Sequence, residues 1–152
     1  MDDLTRTNAQ AARRLFEAVE HRSRDGVVAV YHENIVINEA PSLPYGSEYH
    51  GHEGALRHGQ GFRATWDRFQ PSDVRGLEPR FVAQGDHVAV LWRHKAENHE
   101  TGERIVLPAA GIYRLVDELV VDSRMFHFDI AGLGQVFERQ YAQLRVTASE
   151  SS

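Results

Sequence analysis

Apolar side chains recur at helical spacing between residues 4 and 22, at Ala9, Ala12, Leu15, Phe16 and Val19, with Arg13, Arg14, Glu17 and Glu20 elsewhere on the wheel. The pattern predicts an amphipathic helix whose apolar stripe packs on a core. Ser23-Arg24-Asp25-Gly26 breaks it, and Asp25 is a suitable N-cap for a second, short helix through Val27, Val28 and Tyr31. Asn34–Glu39, with a β-branched centre, predicts a strand that stops at Ala40-Pro41. A loop follows over 42–51, shaped by proline and glycine and lipped by Tyr45 and Tyr49. Helical spacing returns over 52–69 through Leu56, Gly59, Phe62, Trp66 and Phe69. Glycines at 54, 59 and 61 each cost a helix interior about 1 kcal/mol against alanine. That helix should therefore depend on tertiary packing, with close backbone approach as a reason for the glycines.

From Pro71 onward the period changes to two. Strands are predicted over 74–83, 87–98 and 104–116, separated by turns at Gln84-Gly85-Asp86 and Glu100-Thr101-Gly102. In the second of these, Val88, Val90, Trp92, His94 and Ala96 share one face, and Ala89, Leu91, Arg93, Lys95 and Glu97 the other. Pro108 cannot donate to a ladder, so it implies a bulge or an unpaired edge position. Asp117-Glu118 turns the chain into a last strand, 119–129. There Val121, Ser123, Met125, His127 and Asp129 are predicted on one face, and Val120, Asp122, Arg124, Phe126 and Phe128 on the other. A closing helix is predicted over 131–144 through Leu133, Val136, Phe137 and Tyr141.

Composition narrows the function. The 152 residues are expected to form a single domain, with an ordered core over about 4–144 and a frayed serine-rich tail from Ala148. A net charge of −5 without a Lys/Arg cluster argues against nucleic acid as a partner. The absence of cysteine removes disulfides, thiolate metal sites and cysteine nucleophiles. No run approaches membrane-spanning length and the N-terminus carries no signal-like segment, so a cytoplasmic protein with no membrane partner is expected. The richest histidine cluster is His50-Gly51-His52, with Glu53 and His58, but Leu56 and Arg57 stand where a cupin-type site would want a glutamate, and HExxH is absent. Neither a metal nor another cofactor is expected; GxGxxG, P-loop and GxSxG patterns are missing as well.

The order of elements, helix, short helix, strand, loop, helix, then four long strands, resembles that of the nuclear transport factor 2-like superfamily. Tyr31-His32-Glu33-Asn34 resembles the entry to its first strand. The run Pro44-Tyr45-Gly46-Ser47-Glu48-Tyr49-His50-Gly51-His52-Glu53-Gly54 resembles the loop-to-helix passage of SnoaL-like proteins. Arg124-Met125-Phe126-His127-Phe128-Asp129 resembles their closing strand. The resemblance, over nearly the whole chain, implies an α+β fold: a curved, mixed, mostly antiparallel sheet wrapped around helices into a cone, as in cystatin-like folds. It also implies chemistry of several kinds, since this scaffold hosts isomerases, cyclases, dehydratases, epoxide hydrolases and noncatalytic binders.

Carried over residue by residue, Asp129 matches the acid/base of SnoaL-like cyclases, and Glu39 the proton-shuttling carboxylate of ketosteroid isomerases. The isomerases also place a tyrosine on the first helix, where residues 4–22 contain none, and a carboxylic acid near the position of Gly111. The epoxide hydrolases' Asp-Arg-Asp arrangement finds only Arg93 here. The expectation is a hydrophobic pocket in which Asp129 removes a proton next to a carbonyl, His127 relays it or stabilises charge, and Glu39 or a loop tyrosine orients the ligand. Tyr45, Tyr49, Trp92, His94, Met125, Phe62, Trp66 and Phe16 are the expected lining. A structural role competes for each polar group: Asp129 as a helix cap, His127 as a satisfied core histidine, Glu39 as a solvated rim residue. The expected partners are a hydrophobic small molecule and a second copy of the chain, with a noncatalytic binder as the alternative function. The mixed apolar and charged face of Ala89, Leu91 and Arg93 is the expected dimer surface.

Overall fold

The structure is a computed structural model that describes residues 1–98 and 100–139. Four helices accompany one six-stranded sheet: α1 (Asp3–Glu20), α2 (Arg24–Val30), β1 (Tyr31–Asn38), β2 (Glu48–His50), α3 (Gly51–Trp66), β3 (Arg80–Gln84), β4 (His87–Glu97), β5 (Arg104–Val116), β6 (Leu119–His127) and α4 over 130–139. Tyr141 and the serine-rich end lie outside the described residues. The strand order is β2-β1-β6-β5-β4-β3, with β1 and β6 parallel and every other neighbouring pair antiparallel. The sheet does not close. This is the α+β architecture expected of the cone fold.

Local chemistry accounts for the element ends. Asp2 caps α1 by accepting from the Thr5 amide at 2.7 Å. Ser23, rather than Asp25, caps α2, accepting from the Gly26 amide at 3.1 Å. Further along α1, Thr5 and Asn8 grip the backbone of Gly85, which fixes the helix to the β3–β4 turn. Leu15 and Phe16 bury against Val88, Val90 and Trp92 of β4, each contact of this kind removing apolar area worth about 1.5–3 kcal/mol per side chain. The glycines of α3 separate by role. Gly54 and Gly61 lie against Tyr49 and Tyr45 of the 40–50 loop, whereas the space beside Gly59 is empty.

Several sequence expectations are corrected. The strand expected from Val74 begins only at Arg80. Before it a 3-10 turn spans Ser72–Val74, and Glu78 takes a positive φ of 51°. Residue 77 explains the irregular run, because its amide bonds Glu20 of α1 and its carbonyl accepts from Arg93. Pro108 causes no bulge on the β4 side, where it stands opposite Arg93 in an unbroken ladder. Its carbonyl accepts from Phe128, just past the end of β6, so its missing N–H faces the end of that strand. In β6 the register jumps, pairing Arg114 with Asp122 but Leu115 with Val120. The extra residue, Val121, makes a bulge that inverts the alternation only before Ser123, while Ser123, Met125 and His127 keep the expected inward face. Val120 is therefore the fully buried residue, together with Ser123, and Val121 is not.

Candidate functional site

The parallel pairing of β1 with β6 builds the site. Ile35, Ile37 and Glu39 alternate inward at the end of β1. Ile37 pairs with Ser123 and Asn38 with Arg124, so continuing the register sets Glu39 beside Met125, one inward step short of His127. Across the sheet His127 faces Ala109, and Ala109 faces Trp92. Helix α3 crosses above and delivers His58 and Phe62, four residues apart on one face. The result is a cavity of about 120 Å³ lined by Phe16, Tyr31, Glu39, Tyr45, His58, Phe62, Trp92, His94, Tyr113, Met125 and His127, among others.

At its polar end sits a carboxylate held between two imidazoles. Glu39 Oε2 lies 2.9 Å from His58 Nε2, and Glu39 Oε1 lies 3.2 Å from His127 Nε2 and 3.1 Å from the Ala40 amide. The Glu39 and His127 side chains are each only 4% exposed, and His58 13%. Burial pushes the Glu39 carboxyl up, but hydrogen bonds from His127 and His58 and their charge outweigh it and bring it down to about 2. An ionised carboxylate only accepts, so each Nε2 carries the donated proton. Each Nδ1 is then the ring nitrogen left to exchange a proton, and neither has a protein partner among the described residues.

His94 differs. Trp92 Nε1 donates to its Nε2 at 3.0 Å, and its ring stacks on Trp66 at 4.4 Å between centroids. Burial, followed by the charge of His127, pushes it down to about 3, with Glu39 offsetting part. His94 is therefore a neutral wall next to His127, whose ring lies 5.9 Å away.

Two tyrosines complete the lining. Gly111 lies between Trp92 and Tyr113, and a Cβ there would meet Tyr113 Cε2 at 2.7 Å, Trp92 Cζ3 at 3.0 Å and Tyr113 Oη at 3.0 Å. The missing side chain lets Tyr113 lie along β5 over Gly111, with its hydroxyl carried toward the Trp92–Ala109–His127 row. Burial pushes the Tyr113 hydroxyl well up, with Tyr31 and Glu39 adding to it, and Tyr31 is raised by burial and Glu39. Both remain protonated donors at neutral pH. Neither hydroxyl bonds a protein acceptor among the described residues.

The structure brings together most of the expected lining. Glu39, His127, Phe16, Tyr45, Phe62, Trp92, His94 and Met125 meet at one cavity. Asp129 does not. The bulged strand ends at His127, and Asp129 is exposed beyond it, accepting from the Gly132 amide at 2.9 Å as the cap of α4. Trp66 lies behind the lining, fully buried, with its indole N–H donated to the Tyr45 hydroxyl. Tyr49 packs the loop by donating to the Tyr45 carbonyl at 2.6 Å. The histidine-rich segment disperses: His50 meets Glu48 at the surface, His52 bonds the Tyr31 carbonyl, and only His58 enters the cavity. Sequence reasoning missed His58, Tyr31 and Tyr113 as site residues. The i, i+4 spacing of His58 and Phe62 was the available signal for the first; nothing local marks the tyrosines.

Comparison with known proteins bears on the family and the fold. Residues 12–123 match the SnoaL-like domain. No curated protein matches in sequence. Among solved structures, TerC co-crystallized with polyporic acid superposes with a TM-score of 0.71 at 17% identity, covering 87% of this chain and 98% of that one. An NTF2-like protein from Burkholderia pseudomallei gives a TM-score of 0.66 at 18% identity, covering 80% of this chain and 90% of that one. A protein described as a SnoaL-like polyketide cyclase from Jannaschia gives 0.65 at 18% identity, covering 88% of this chain and 93% of that one. At these identities the structures show that the fold is shared, that of an NTF2-like protein among them, and the domain match covers well over half of the sequence: the protein belongs to the SnoaL-like domain family.

Proposed function

We propose that this protein is a cofactor-free acid–base catalyst of the lyase, isomerase or cyclase type, acting on a hydrophobic carbonyl compound. The observation that carries the proposal is the ionised Glu39 bridging His58 and His127 at the buried end of an apolar cavity. With its carboxyl near 2, Glu39 is too weak a base for proton abstraction at neutral pH. The His127 imidazole is better placed, since its Nδ1 has no protein partner among the described residues. In this reading the neutral form of His127, its Nε2–H held by Glu39, takes the proton next to the carbonyl at Nδ1. Glu39, through His127 Nε2–H, fixes the tautomer and stabilises the imidazolium that forms. The Tyr113 hydroxyl donates to the carbonyl oxygen as negative charge develops there. The proton-accepting role first expected of Asp129 thus passes to His127, and Glu39 moves from orienting the ligand to orienting the base. A double-bond shift or an aldol-type ring closure would both begin from the enolate so formed.

One observation favours a second reading, a noncatalytic binding pocket. Both Glu39 oxygens are already satisfied, by His58 on one side and by His127 and Ala40 on the other, as a purely structural buried carboxylate would require. Exchange of α-protons of a ketone panel in D2O, followed by proton NMR, separates the two. Catalysis predicts exchange that slows as pH falls, because the base must be unprotonated, and that drops at least ~100-fold in His127→Gln and Glu39→Gln, the usual worth of a positioned base. Exchange unchanged in both variants excludes the proposed centre. Saturable binding of the same ketones with no exchange in the wild type establishes the binding reading.

A further inference from the structure

The cavity entrance carries a charge opposite to that of the chain. It opens between the α1–α2 turn and α3, where Ser23 and Arg24 are exposed and Gly59 and Arg63 half-buried. Of the charged residues other than histidine that line the cavity, Glu39 is the one carboxylate, against the guanidiniums of Arg22, Arg24 and Arg63. This occurs in a protein of net charge −5. Glu39, at the buried end, is already matched by two imidazoles. Arg22 is matched at the rim by Asp67 at 2.7 Å and lies over the Phe62 ring. Arg63 is not matched. Its Nε bonds the Gly59 carbonyl at 3.3 Å, and neither Arg63 nor Arg24 pairs with a carboxylate among the described residues.

A half-buried guanidinium at an apolar rim bears a desolvation cost that an anion would offset. There is room for one, since a Cβ on Gly59 would touch nothing within 4 Å, leaving the passage beside Arg63 open. The cavity's 120 Å³ is close to the size of one that accepts benzene, about 150 Å³, so a ligand larger than one ring extends through that passage.

We propose that the ligand of this cavity is an amphipathic organic anion. Its apolar body lies against Phe16, Phe62 and Trp92, and a carboxylate or similar group sits at the entrance between Arg63 and Arg24. Arg22, pinned by Asp67 at 2.7 Å, forms a net-neutral pair at the same rim and leaves the anion to the other two guanidiniums. The inference rests on the reading of this cavity as the functional site and adds the substrate class to it.

A pair of fluorescent probes that differ by one anionic group tests it: 8-anilinonaphthalene-1-sulfonate and N-phenyl-1-naphthylamine, the same ring system without the sulfonate. At low salt the wild type should bind the sulfonate about ten-fold more tightly, the scale of one charge-assisted hydrogen bond. The double variant Arg24→Gln/Arg63→Gln should remove that preference and leave the neutral probe's affinity unchanged. Added salt should erode the preference in the wild type alone. Equal affinity for the two probes, or equal loss of both in the double variant, overturns the proposal. Gly59→Leu, which fills the passage, should weaken both probes; sulfonate binding that survives it intact places the probe elsewhere and also overturns the proposal. The acid–base reading is judged separately. Glu39→Gln should leave the contrast between the probes in place even as it abolishes ketone exchange, so failure of either idea is visible without the other.

Discussion

His94 is the residue on which acid stability should turn. Held down to about 3 by burial and by His127, it stays neutral in the fold, whereas an unfolded chain takes up the proton near 6.5. Between those values the unfolded state binds more protons, so stability declines as pH falls, by up to about 1.4 kcal/mol per pH unit for a single group. Glu39 acts lower. Its stabilising contribution is complete above 4.5 and is lost as pH falls toward about 2. Urea denaturation across this range should show a midpoint that drops steadily below pH 6.5. His94→Gln, which keeps an acceptor for Trp92, should flatten the stretch between pH 6.5 and 4.5 and make the decline below 4.5 shallower, leaving there the part due to Glu39. A variant curve parallel to the wild type removes His94 as the source. Glu39 is buried where a solvated rim position was the competing expectation, because it continues the inward alternation of Ile35 and Ile37. What was not legible was its company. Hydrogen bonds to His58 and His127 span 19 and 88 residues of chain, distances over which no sequence periodicity speaks.

Among the elements, the β5–β6 hairpin departs furthest from what its residues prefer. Asp117 and Glu118 have φ of 52° and 63°, the mirror-image two-residue turn that suits Asn-Gly. Aspartate tolerates this region, but glutamate does so at a cost of roughly 1–2 kcal/mol. Glu118→Gly should therefore stabilise the protein by about 1 kcal/mol, raising Tm by about 2–4 °C for a chain of this size. Calorimetry showing no gain would mean that the turn is strained elsewhere. β4 and β5 were readable: β5 runs over the expected residues, and the inward set Val88, Val90, Trp92, His94 and Ala96 on β4 is buried throughout. The bulge at Val121 was not readable, because it arises from the mismatch between β5 and β6 rather than from any residue in the bulge. It changes which residues of β6 face the core, and the strand ends two residues before Asp129.

For the molecule as a whole, the outer face of the sheet remains to be explained. Leu91, Ala110 and Phe126 form one cross-strand row, and Val82, Ala89, Ile112 and Arg124 the next. Val82, Leu91, Ile112 and Phe126 are exposed there. An apolar patch of this kind, mixed with arginines, has the character of an interface between subunits. We expect a homodimer through this face, which leaves the cavity on the opposite side of the sheet free. Sedimentation should give a dimer for the wild type and a monomer for Ile112→Lys/Phe126→Glu. A wild type that sediments as a monomer at high concentration rules the interface out.

The sequence by itself determined most of the elements, β2 excepted, and most of the faces they turn to the core. Those properties follow from spacing along the chain, 3.6 residues per helical turn and two per pleat, whereas the fold was what the resemblance to a known family implied. Only the tertiary structure decided which polar groups meet. The parallel register of β1 on β6 sets Glu39 before His127, the docking of α3 brings in His58, and the vacancy at Gly111 lets Tyr113 lie toward them. One inserted residue in β6 belongs to the same class of fact. Contacts of this kind depend on how distant segments fit against each other, which no local pattern of residues encodes.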